Sequence, residues 1–111
     1  MSKRDDDLLV KDILDACNKI FNYTENMDYD SFLNNSMVVD AVVRNFEIIG
    51  EASKLISNEL KISHPLVEWQ LMTDFRNLLI HEYFGIEYEK VWDIIGEELN
   101  YNFEMIKLIS I

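Results

Sequence analysis

The chain has 111 residues, a mass of 13.1 kDa and a net charge of −11, a length that fits one domain, residues 1–111, with a core of its own. Apolar residues make up 49%, too many for a disordered chain. The acidic excess repels polyanions at long range, which disfavours a broad electrostatic nucleic-acid binder but not a small basic pocket.

One cysteine, Cys17, excludes an intramolecular disulfide and any multi-cysteine metal site. Two histidines, His64 and His81, leave little for a histidine cluster, so no metal site is expected. Met1-Ser2-Lys3-Arg4 runs directly into Asp5-Asp6-Asp7. No apolar stretch follows, so no secretory signal is expected. No apolar run nears the roughly eighteen residues of a membrane span. The expected compartment is the cytoplasm, with no membrane partner.

Three glycines and one proline in the whole chain are too few for a strand-rich fold, and helical spacing recurs throughout. A first helix is predicted from Asp5–Asp7, whose carboxylates suit a helix N-terminus. Leu9, Ile13, Ala16, Cys17 and Ile20 line its apolar face, and it frays near Tyr23. The polar segment 24–35 reads as a connector with one short helical turn at Ser31-Phe32-Leu33. A second long helix starts near Ser36, with Val38, Ala41, Val42, Phe46, Ile49, Ala52 and Ile56 inward. Its other face carries Asp40, Arg44, Glu47, Glu51 and Lys54, which are expected largely to pair among themselves. Gly50 sits in mid-helix at a cost of about 1 kcal/mol against alanine, and would suit a close helix–helix approach.

Ser63-His64-Pro65 reads as a helix start. A third long helix is predicted from there to about Glu82, with Leu71, Met72, Phe75, Leu78 and Leu79 as its core stripe and Gly85 as its stop. The last helix is predicted over 87–109, with Val91, Ile94, Ile95, Leu99, Phe103, Ile106 and Ile109 inward. The sum is an all-α, up-and-down four-helix bundle with one extra short helix. No Gly-rich phosphate loop, nucleophile elbow or metal-ligand spacing occurs, and no Arg/Lys-rich helix reads as a DNA reader.

One stretch departs from this pattern. Residues 76–86 read Arg-Asn-Leu-Leu-Ile-His-Glu-Tyr-Phe-Gly-Ile. Arg76 has Met72, Thr73, Leu79 and Ile80 as helical neighbours, none of them acidic. Its counter-ion must come from another helix, another subunit or a ligand, because an unpartnered charge beside apolar groups is costly. A buried ion pair with Glu47 or Glu51 is one solution, and a phosphate is another. Arginine donates in a fixed fork to phosphate oxygens. Histidine exchanges a proton near neutral pH. Together they suffice for metal-independent RNA cleavage, with His81 as base toward a ribose 2′-hydroxyl and Arg76 stabilising the charge on the attacked phosphate. On a straight helix, however, Arg76 and His81 stand about 140° apart. Either the helix loosens before Gly85, or two subunits each supply part of the site.

Arg76-x4-His81-x-Tyr83 matches the R-x4-H-x-Y signature of HEPN-domain ribonucleases, and the chain resembles their HepT-like branch. Asn77 after the arginine, Phe84-Gly85-Ile86 after the motif, Phe46-Glu47-Ile48-Ile49-Gly50-Glu51-Ala52 and Ser63-His64-Pro65 fit the same branch, so the resemblance covers nearly the whole chain. It implies a helical-bundle homodimer whose two motifs face an interface cleft. It also implies a metal-independent endoribonuclease with Arg76 and His81 catalytic and Asn77, Glu47 and Glu51 supporting. Such proteins are typically toxins of two-gene toxin–antitoxin modules. Their partner is a minimal nucleotidyltransferase antitoxin that transfers AMP from ATP to the motif tyrosine, here Tyr83. RNA is the implied substrate, and no cofactor is implied beyond that covalent AMP. A catalytically weak dimerisation module that serves only as AMP acceptor is the alternative.

Overall fold

A computed structural model of the chain describes residues 3–81 and 85–109. Among the described residues the fold is all-α apart from one two-residue ladder. Helix α1 spans Lys3–Thr24, α2 Tyr29–Leu33, α3 Ser36–Leu55, α4 Asn58–Ser63, α5 Trp69–Thr73 and α6 Phe75–Leu79. Strands β1 (Ile80–His81) and β2 (Gly85–Ile86) follow, then α7 (Tyr88–Gly96) and α8 (Glu98–Lys107). Four arms form the bundle: α1, α3, α5–α6 and α7–α8. The extents, 42 × 31 × 20 Å, correspond to about two helix diameters in the thinnest direction.

Local chemistry explains most of the boundaries. Thr24 closes α1 by donating its hydroxyl to the Ile20 carbonyl at 2.9 Å. Asn26 then turns the chain at φ 65°, a left-handed conformation that asparagine tolerates. The Asp28 carboxylate accepts from the Ser31 N–H at 2.8 Å and caps α2. That bond holds the Asp28 carboxyl below its ordinary pKa. Asn35 caps α3 by accepting from the Val38 N–H at 3.1 Å, at the predicted start.

Helices α1 and α3 form the main packed pair. Asp6, in the first turn of α1, accepts from the Ser57 N–H at 3.0 Å and from the Ser57 hydroxyl at 2.6 Å. Ser57 lies just beyond the C-terminus of α3, so the two helices run antiparallel. The same hydroxyl accepts from the Leu60 N–H at 3.1 Å and caps α4. The aspartates predicted to serve the helix N-terminus therefore include one that ties α1 to the α3–α4 junction.

The core lies where the sequence pattern places it. Ile13, Ala16, Cys17 and Ile20 of α1 are buried, as are Val42, Phe46, Ile49, Ala52 and Ile56 of the second arm. Met72, Phe75, Leu79, Val91, Ile94, Ile95, Leu99, Ile106 and Ile109 complete it. Val39 and Val43 are also buried, whereas Val38 is only partly so. The buried stripe of α3 is thus rotated by about one residue from the predicted one.

Three predicted features are corrected. The third helix is not continuous from Pro65 to Glu82: Ser63 ends α4, His64 is its C-cap, and the next helix begins only at Trp69. It breaks at Asp74, whose N–H is shared between the Gln70 and Leu71 carbonyls at 3.1 Å each, and stops at Leu79 rather than near Gly85. The last helix is divided at Glu97 (φ −112°, ψ −85°) after Gly96, where glycine's weak helix propensity permits the break. Of the charges expected to pair along α3, Arg44 and Glu47 are the described pair, only 3.9 Å apart.

Candidate functional site

The arm that carries Arg76 is positioned mainly from α3. Phe46 and Phe75, both fully buried, meet edge to face with ring centroids 5.1 Å apart and planes at 78°, a favoured aromatic geometry. This contact fixes the first turn of α6, one residue before Arg76. One turn further along α3, Gly50 lets α5 approach closely. A Cβ there would stand 3.2 Å from the Thr73 carbonyl oxygen and 3.4 Å from that of Met72. The mid-helix glycine therefore marks the close approach its position suggested, and the approach is to the end of α5, just before the motif.

The start of α5 has no side-chain cap of its own, Glu68 providing none. It is held instead from α8. The fully buried Asn102 accepts from the Glu68 N–H at 2.8 Å through Oδ1. Its Nδ2 donates to the Glu68 carboxylate at 3.0 Å and to the Glu98 carbonyl at 2.9 Å. The Tyr101 hydroxyl donates to the Leu66 carbonyl at 2.8 Å, and the Trp69 indole N–H to the His64 carbonyl at 3.0 Å. Sequence reasoning missed Asn102. Its only sequence signal is an amide within an otherwise apolar helical stripe.

At the other end of the arm, the motif leaves the helix. Ile80–His81 pairs antiparallel with Gly85–Ile86, with Ile80 opposite Ile86 and His81 opposite Gly85. The Glu87 N–H donates to the Leu79 carbonyl at 2.9 Å and closes the base of this hairpin. Gly85 adopts φ +81°, the region where glycine carries no Cβ penalty. Among the described residues nothing lies within 4 Å of where its Cβ would be. The backbone conformation thus favours glycine here, and His81 is its partner in the ladder. The 140° separation of a continuous helix no longer applies, because extended residues do not follow the helical screw. Of the two ways to reconcile Arg76 with His81, a loosened helix is the one present within this chain.

The sequence-predicted site residues fall as follows. Arg76 lies in α6 and His81 in β1; the side chains of both, and the whole of Tyr83, are outside the described residues. Asn77 is exposed on α6. Glu47 and Glu51 project from α3 into a cleft of about 450 Å³ that also takes in Arg44, Asp12 and Thr73. Among the described residues its charged lining is Asp12, Glu47, Glu51 and Arg44. Thr73 places the cleft three residues before Arg76 in sequence.

Other candidates are structural. His64 contributes its carbonyl to the α4–α5 turn. Cys17 is fully buried, and burial pushes its thiol up to about 12, so it stays protonated and inert at neutral pH. Among the described residues no helix is long and apolar enough to cross a membrane.

The chain is similar in sequence to known proteins. The HepT-like family model, described as Ribonuclease HepT-like, matches residues 13–109. A Methanocaldococcus jannaschii protein named "Putative RNase MJ1380" is 46% identical over 99 residues, covering 89% of this chain and 91% of the relative. A second from that organism, "Putative RNase MJ1216", is 39% identical over 99 residues, covering 89% of this chain and 82% of the relative. "Probable ribonuclease HepT" of Thermococcus cleftensis is 38% identical over 90 residues, covering 81% and 82%. No solved structure matches. With a model match from the first core residues of α1 to the end of the last arm, the chain belongs to the HepT-like ribonuclease family.

Proposed function

We propose that the chain is a metal-independent endoribonuclease and the toxin of a type VII-like toxin–antitoxin module. The observation that carries this reading is the hairpin inside the motif. It takes His81 off the helix that holds Arg76, in a chain of the HepT-like family. His81 takes the proton from a ribose 2′-hydroxyl. The 2′-oxygen attacks the adjacent phosphorus, the 5′-oxygen leaves and takes up a proton, and a 2′,3′-cyclic phosphate remains. Arg76 stabilises the charge that builds on the phosphoryl oxygens. Asn77, Glu47 and Glu51 orient these two groups. Two such motifs face one cleft in a homodimer, which concentrates positive charge that a −11 chain otherwise lacks.

The partner is a minimal nucleotidyltransferase antitoxin. In the transfer it catalyses, the Tyr83 hydroxyl attacks the α-phosphorus of ATP, pyrophosphate leaves, and AMP stays on the phenol oxygen. The added nucleotide blocks the cleft and occupies Arg76 with the wrong phosphate. The alternative reading, an AMP-acceptor module with little nuclease activity, is favoured by the net charge of −11.

Intact mass on purified protein reports whether Tyr83 carries AMP. The same sample is then tested on RNA with a chelator, beside Arg76→Ala and His81→Ala. Cleavage ending in cyclic phosphate, lost in both variants, is the expected result. No cleavage by unmodified protein would replace the ribonuclease reading with the acceptor one. Tyr83→Phe is expected to remain toxic in the presence of the antitoxin; restored growth would exclude neutralisation through Tyr83.

A further inference from the structure

Away from the motif, α2 and α7 build a second feature that the reaction does not use. Phe32 is fully buried, and Trp92 lies against it with ring centroids 5.0 Å apart. Trp92 is only half-buried. Its other neighbour is the half-buried Tyr29, at 6.5 Å with the planes tilted by 57°. Two tilted rings, one braced from behind by the core, form an open aromatic corner at the surface.

The rim of this corner is acidic. Asp30 follows Tyr29 on α2, and Glu89 and Asp93 stand one turn apart on α7; all three are exposed. Asp30 is next to Tyr29 in the chain and Asp93 next to Trp92; partial burial, then the Glu89, Asp30 and Asp93 carboxylates, raise the Tyr29 phenol above its ordinary pKa. The described ion pairs are Lys11–Asp15, Arg44–Glu47 and Lys107–Glu104, and none of them involves the rim. Elsewhere the molecule shows the same chemistry satisfied from within: Lys107 Nζ sits 4.6 Å from the Phe103 ring centroid.

We propose that the Tyr29–Trp92 corner is a docking site for an arginine side chain on a basic segment of a partner protein. A guanidinium is planar, stacks on aromatic faces and bonds carboxylates through a fixed fork. It therefore fits two tilted rings rimmed by carboxylates better than an ammonium does. The acidic rim and the −11 chain repel nucleic acid, which leaves a basic polypeptide as the complementary partner. The site is independent of the proposed RNA chemistry.

The test uses the full chain and a hexa-arginine peptide at about 150 mM salt, where distant charges are screened. Intrinsic fluorescence is the readout. Trp69 is buried with its N–H bonded to the His64 carbonyl, so a saturable change reports Trp92. Tyr29→Ala and Glu89→Gln/Asp93→Asn are each expected to weaken binding roughly tenfold. Glu59→Gln/Asp40→Asn, which removes two exposed charges elsewhere, is expected to leave it unchanged. A hexalysine peptide is expected to bind more weakly. The site is rejected if no saturable change occurs, or if the two control substitutions weaken binding as much as the local pair. An equal response to hexalysine or to a single-stranded RNA oligonucleotide overturns it too. So does a Trp92 signal that changes with protein concentration alone, which would assign the corner to a second copy of the chain.

Discussion

Replacing Asn102 tests how the motif arm is held. Asn102→Ala removes three hydrogen bonds, to the Glu68 N–H, the Glu68 carboxylate and the Glu98 carbonyl. Such bonds contribute about 1 kcal/mol each in net terms. The Glu98 carbonyl keeps its helical role, and the Glu68 carboxylate is exposed to water, so their losses are small. The Glu68 N–H is the group that matters, because it has no local cap, and leaving it without an acceptor costs about 1–3 kcal/mol. The vacated amide volume, at a fully buried position, adds a cavity cost. The sum is about 2–4 kcal/mol, a large part of the roughly 5–15 kcal/mol that stabilises a domain. For 111 residues that is a fall in Tm of roughly 10–15 °C. Thermal unfolding measures the total. Amide hydrogen exchange locates it, with protection expected to fall first at Glu68 and Trp69. Asn102→Leu restores volume but not the polar contacts, so it is expected to recover the cavity part and leave a loss of about 2 kcal/mol. A shift in Tm below about 3 °C for Asn102→Ala, or unchanged exchange at Glu68, would refute the idea that α8 sets the start of α5.

Gly50→Val should destabilise by about 1–3 kcal/mol through overpacking against the Thr73 and Met72 carbonyls. Gly50→Ala, whose gain in helix propensity of about 1 kcal/mol offsets the tight contact, should stay near neutral in thermal unfolding. Gly85→Ala should cost about 1–2 kcal/mol, because φ +81° penalises a Cβ. Gly85→Asn should cost less, and melting of the two variants side by side checks the order. Cys17 should resist iodoacetamide in the native protein and react once unfolded, as read by mass. Its thiol pKa is raised to about 12 in the fold, against about 8.5 unfolded. The stability it contributes is therefore full below about pH 8.5 and is lost as pH rises toward 12. Cys17→Ala should flatten that part of the pH profile of stability, and an unchanged slope would contradict the assignment.

The sequence by itself determined the all-helical class, the four arms and most of the core positions. Apolar spacing with a period of 3.6 records burial directly, as in Ile13, Cys17 and Ile20 or Val91, Ile94 and Ile95. It also determined the motif and, through it, the family. The start of α3 near Ser36 was legible as well, and its cap, Asn35, meets its partner within one turn. Tertiary structure decided what depends on partners far along the chain. The third arm begins at Trp69, not at Pro65, because its first N–H finds an acceptor 34 residues later, in Asn102. It ends at Leu79 because the Leu79 carbonyl and the residues after it pair across a hairpin with Gly85–Glu87. A periodic pattern predicts a helix through that point, since Ile80 is as apolar as its helical neighbours. Hydrophobic periodicity reports which side chains are buried, but not which carbonyl a given N–H will meet. The backbone path from Arg76 to His81, out of α6 and into β1, depends on that second kind of information.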